Sequence, residues 1–127
     1  MKSYFLAALA AFLLCAPATA QQDGEYKYIK DHYDQQHMMT FCNIEGFIDD
    51  AWLAEVQMAT TNAQDVTDPV IAARAWDDSQ NFFRSQITEI KSWSRSRMEG
   101  ICENVRQIGI DDLGIGTYEG DEECDGC

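Results

Sequence analysis

From residue 24 to residue 108 the apolar positions recur at helical spacing. Tyr26, Ile29, Tyr33, Phe41, Ile44, Ile48, Trp52 and Val56 fall mostly three or four residues apart, the step of one helix face. A polar gap at Gln36-His37 interrupts this run. A second run is stronger: Ala73, Trp76, Phe83, Ile87, Ile90, Ile101, Val105 and Ile108, with Phe82, Trp93 and Met98 widening the stripe. Strand-like alternation, Asn-Gly hairpin signals and internal repeats are missing. Three places read as breaks. Asn43 and Gly46 suit a helix end. Asp68 before Pro69 reads as an N-cap with proline at the first helical position. The serine-rich stretch from Ser92 to Ser96 is the third.

Two all-α architectures fit these signals. A long two-helix hairpin would turn near Asp65. At 1.5 Å per residue, Cys42 would then lie about 35 Å from the turn and Cys102 about 55 Å. That offset forbids a bond between them, since a disulfide needs Cα atoms within about 7 Å. Breaking the chain at the three signals gives about four helices of roughly 15 to 24 residues, joined by loops of the length usual in bundles. The expected fold is therefore a small disulfide-stabilised helical bundle of about three or four helices. Residues 21–108 form its helical domain, and 109–127 an irregular tail. That tail, GIDDLGIGTYEGDEECDGC, is rich in glycine and acid and has no helical period.

The first twenty residues have a different character. Lys2 precedes an apolar run from Tyr4 to Cys15, and Ala18-Thr19-Ala20 forms an A-x-A site after Pro17. This is the pattern of a cleaved secretory signal peptide over 1–20. The run is shorter than the roughly 18 to 20 residues of a spanning helix. Cys15 raises a lipoprotein signal, but Leu14 stands where such signals carry a small residue. The mature chain is expected to begin near Gln21 and to be secreted, with no membrane association. The pattern does not distinguish extracellular release from a bacterial periplasm.

Export changes how the cysteines are read. Cys15 leaves with the signal, and Cys42, Cys102, Cys124 and Cys127 remain. An even number in an oxidising compartment implies two disulfides, with three possible pairings. Cys42–Cys102 with Cys124–Cys127 is the favoured set. The first would close a loop of about 60 residues, worth roughly 4 kcal/mol on the chain-entropy model.

Charge narrows the partners. The chain carries 22 Asp and Glu against 9 Lys and Arg, a net charge of −13. Such a balance excludes nucleic acid and anionic membranes as ordinary partners, since both need a positive surface. Bases concentrate in residues 84–106, where Arg84, Lys91, Arg95 and Arg97 could form a partner surface or receive the acidic tail.

Little in the chain suggests catalysis. Cys124-Asp125-Gly126-Cys127 has redox spacing, but Glu122, Glu123 and Asp125 would raise a thiol's pKa, and no strand-helix context precedes it. A zinc site from the cysteines with His32 and His37 lacks a second C-x-x-C. The tail acids do not follow calcium-loop spacing. His32 and His37, five apart, read as surface residues. Neither Asp49-Asp50 nor Asp77-Asp78 suits a hydrolase pair, because adjacent residues on a helix diverge. The expectation is a non-enzyme without cofactor or metal. It would bind a protein partner through its surface, or a small apolar ligand within an interior rich in aromatics and methionine. A thiol-disulfide protein and a structural or storage product are the alternatives.

Overall fold

A computed structural model describes residues 2–116, with side chains from Gln22 onward. Four helices follow in order: α1 (Lys2–Ile44), α2 (Asp50–Asp65), α3 (Pro69–Lys91) and α4 (Arg95–Leu113). Among the described residues there is no strand. The chain forms the bundle rather than the two-helix hairpin.

Each break is built by the residues that announced it. At the end of α1, Gly46 takes φ 87°, a conformation that costs glycine little. Its N–H donates to the Asn43 carbonyl at 3.0 Å, and the next N–H, from Phe47, donates to the Cys42 carbonyl at 2.9 Å. This pair of bonds is the Schellman closure, which satisfies carbonyls the helix leaves open. Asp49 caps α2 by accepting from the Trp52 N–H at 2.8 Å. Asp68 caps α3, accepting from Val70 and Ile71, with Pro69 in the first turn. Ser94 caps α4 through the Arg97 N–H. Glu25 on α1 accepts the Asp68 N–H at 2.6 Å and so ties the α2–α3 turn to the first helix.

Helix α1 is the mast of the bundle, and the other three helices each pack mainly against it. It runs unbroken through Ala20 and through the polar gap at Gln36-His37. Among the described side chains, its contributions to the apolar clusters begin at Tyr26. Two clusters lie along it. One holds Ile29, Tyr33, Ala63 and Ala75, with Trp76 packed against them. The other gathers Met39, Phe41, Cys42, Val56, Ile90, Met98 and Cys102. Cys42 and Cys102 are bonded at its centre with Cα atoms 5.8 Å apart, and neither is exposed to solvent. The favoured pairing of these two is thus the one formed. Cys124 and Cys127 lie outside the described residues.

Polar groups stitch the first cluster together. The Tyr33 hydroxyl accepts from Gln64 Nε2 at 2.9 Å, and Ser79 Oγ donates to Asp34 Oδ1 at 2.6 Å. Asp34 also holds Lys30 at 2.8 Å, and Tyr26 donates its hydroxyl proton to Asp78. Buried polar atoms must find partners of this kind or destabilise the fold.

Helix α4 departs from the expected boundary. The apolar period stops at Ile108, but the helix continues to Leu113. Gly114 then takes φ 68° and turns Ile115 back into the core, where it is 2% exposed. The irregular tail therefore does not begin at residue 109. Gly109 explains why the composition misled. Glycine weakens a helix, but here it lies buried against Gln35 of α1, and an added Cβ would come within 2.9 Å of Gln35 Cδ. The missing side chain is what lets α4 approach α1. Gly109→Ala is expected to lower stability by about 1 kcal/mol, overpacking outweighing the gain in helix propensity. In a Gln35→Ala background the same change should become stabilising. Thermal unfolding of the four proteins reads the reversal of sign.

Candidate functional site

Because α3 and α4 both lean on α1 rather than on each other, a groove opens between them. Lys27, Asp31, Asp34, Gln35 and Met38 lie on one face of α1 and form its floor; their steps of mostly three and four place them in a single stripe. Phe82, Phe83 and Ile90 of α3 form one wall, continued by Trp93. Ile101, Val105 and Ile108 of α4 form the other. The volume is about 460 Å³, within the range of small-molecule sites. The two lips are apolar and open to solvent: Phe82 is 54% exposed and Ile108 is 44% exposed.

Charge is confined to one end. Lys27 pairs with Asp31 at 2.6 Å. Its pKa is raised, first by the hydrogen bond to Asp31 and also by the charges of Asp31 and Asp112. Beside it, Lys30 is held by Asp34 and lies 5.3 Å from the centre of the Phe82 ring. Deeper, Gln35 is 97% removed from solvent, and its Nε2 donor has no hydrogen-bond partner. A buried amide left this way costs stability that folding does not recover.

The two histidines are not surface residues. His32 is 3% exposed, with Nδ1 2.9 Å from the Tyr28 carbonyl. His37 is half-buried, its ring 4.8 Å from Trp76 and 5.6 Å from Phe83 between centroids, and its Nε2 has no partner. Helix spacing alone hid this, because the aromatic partners come from α3. Burial lowers the His37 pKa below the ordinary imidazole value. Asp34 opposes this and Arg84 reinforces it. Below pH about 6.5 the unfolded chain takes up a proton at this residue before the folded one does, so stability falls with pH. Urea unfolding at pH 7.5 and 5.5 should show that loss, and His37→Phe should make it smaller.

The four basic residues flagged in the sequence are all exposed. Arg95 lies 4.5 Å over the Phe47 ring and donates to the Glu45 carbonyl, and Arg97 lies 3.9 Å over Trp93. Lys91 ends α3, where a cation complements the helix dipole, and Arg84 belongs to the middle of that helix. Arg97 thus holds a ring at the α3–α4 corner, while Arg95 ties the start of α4 to the α1–α2 turn. As for metals, Cys42 and Cys102 are spent on each other, and no cluster of metal-ligating side chains occurs among the described residues. Nor, among those residues, is any helix long and apolar enough to cross a membrane.

The groove residues that sequence reading missed are Lys27, Asp31, Asp34, Gln35 and Asp112. The first four have the spacing of a polar stripe on α1, but a polar stripe ordinarily faces water, and Asp112 comes from α4. Searches of protein-family models, curated proteins and solved structures found no match to this chain.

Proposed function

We propose that the protein is an exported, non-enzymatic binding protein that carries a small apolar ligand in the groove between α1, α3 and α4. The groove itself supports this reading. It is an apolar trough of about 460 Å³ whose exposed lips, Phe82 and Ile108, would be covered by an occupant. Apolar surface left open in this way is stabilised by whatever removes it from water. The signal-like N-terminus and the buried disulfide suit work outside the cytoplasm.

Native mass spectrometry of the protein purified from its natural source tests the reading, with an added long-chain probe as a control. A retained non-peptide mass, displaced by the probe and absent in Val105→Trp, is the expected result. Ile108→Glu, on the exposed lip, should weaken probe binding without threatening the fold. Undiminished binding in both variants would place the ligand elsewhere and refute the groove as the site.

A further inference from the structure

Resting on the binding function proposed above, we infer that the ligand of this groove is an apolar amine: a chain or ring system seated between α3 and α4, with its protonated nitrogen among Asp31, Asp34 and Asp112.

The helices give the groove two unlike ends. Helix α4 runs antiparallel to α1: Cys102 is bonded to Cys42, Gly109 packs on Gln35, and the charge of Asp112 reaches Lys27. The apolar end is lined by Met38, Ile90, Trp93 and Ile101, all of which belong to the larger apolar cluster or pack against it. The charged end lies seven residues earlier on α1, at Asp31, about 10 Å along the helix axis. An occupant of that length has one end in apolar surroundings and the other among charges, so it is an amphiphile.

The sign of its charge follows from the groups at the charged end. Asp31, Asp34 and Asp112 all line the groove. Lys27 is held by Asp31 at 2.6 Å, and Lys30 by Asp34 at 2.8 Å. Asp112, in the last turn of α4, makes no ion pair or hydrogen bond among the described residues, and acts on Lys27 only through its charge. The carboxylates therefore outnumber the lysines that face them. Asp31 and Asp34 have side chains 40% and 30% exposed, so water and salt screen their charges less than those of a fully exposed acid. At the other end Arg97 stacks on Trp93 and does not line the groove. A carboxylate or phosphate end would meet an excess of like charge, on a chain whose net charge is −13. An uncharged end would gain nothing from that excess. A protonated amine completes the third pair, and its N–H groups are the donors that carboxylates accept.

Three probes with the same ten-carbon chain isolate the headgroup: decylammonium, 1-decanol and decanoate, each titrated into the full-length protein at pH 7.5 by calorimetry. Decylammonium is expected to bind about fivefold or more tightly than decanol, with decanoate weakest. Asp112→Asn should weaken decylammonium about threefold and leave decanol nearly unchanged. Asp112 is exposed, so this change does not threaten the fold. Glu103→Gln removes the same charge from the opposite face of α4, since Glu103 is exposed and stands two residues from both Ile101 and Val105. It should leave all three affinities as they are. Decanol binding as tightly as decylammonium would overturn the cationic ligand while leaving the groove intact as a site. Tightest binding of decanoate would overturn it in favour of the lysines. Equal losses in Asp112→Asn and Glu103→Gln would overturn it in another way, by tracing the preference to the net charge of the whole chain. If none of the three probes binds, the binding function itself fails, a result distinct from the others.

Discussion

Replacing both Cys42 and Cys102 with alanine is expected to lower the thermal unfolding midpoint by roughly 15–25 °C. The two residues are 60 apart in sequence. Opening a loop of that size frees the unfolded chain by about 4 kcal/mol on the chain-entropy model, and each kcal/mol shifts the midpoint of a domain this small by several degrees. Both side chains are also fully buried within the larger apolar cluster, so packing is lost together with the link. Treating the unaltered protein with a reductant separates these effects, because reduction breaks the bond but leaves both sulfurs in place. Reduced wild type should lie between the oxidised protein and the double variant. A midpoint that moves by only a degree or two in both cases would show that the cross-link does not constrain the unfolded chain.

Tyr33→Ala is the second large effect, at about 3–5 kcal/mol, the usual cost of deleting a large aromatic ring from a core. Tyr33 is 2% exposed and packs edge-on against Trp76 at 5.0 Å between ring centroids. It also joins three helices: its ring lies on α1, its aromatic neighbour on α3, and its hydroxyl accepts from Gln64 of α2. Tyr33→Phe separates the ring from the hydroxyl. The phenylalanine should cost about 1 kcal/mol or less, since Gln64 is exposed and can turn to water. Chemical denaturation of both variants, compared at equal slope, measures the two costs. Near-equal losses would mean that the hydroxyl, not the ring, holds this end of the bundle.

Much of the fold was legible because its signals are local. The capping bonds at Asp68-Pro69, Gly46 and Ser94 reach residues at most five positions away, so their role can be read from the chain itself. The apolar stripes marked the faces that pack, and the requirement that Cys42 and Cys102 meet selected the bundle over the hairpin. Gly109 was misread for the opposite reason. Its value lies in the approach of Gln35, more than seventy residues earlier, and locally it looks only like a helix breaker. The histidines were misread in the same way. His37 lies against Trp76 and Phe83, which belong to another helix.

The candidate site belongs to this second kind. Lys27, Asp31, Asp34 and Gln35 formed a polar stripe on α1, which by composition alone is a solvated face. The arrangement of α3 and α4, each resting on α1 without closing on the other, turned that stripe into the floor of a groove. By itself, then, the sequence determined the helical class, the main breaks, the Asp68 cap and the net charge, and it favoured the cysteine pair, because hydrogen-bond spacing, charge and loop length act along the chain. Only the tertiary structure decided which polar residues are buried and where apolar surface stays open, because burial depends on what distant segments bring against each face.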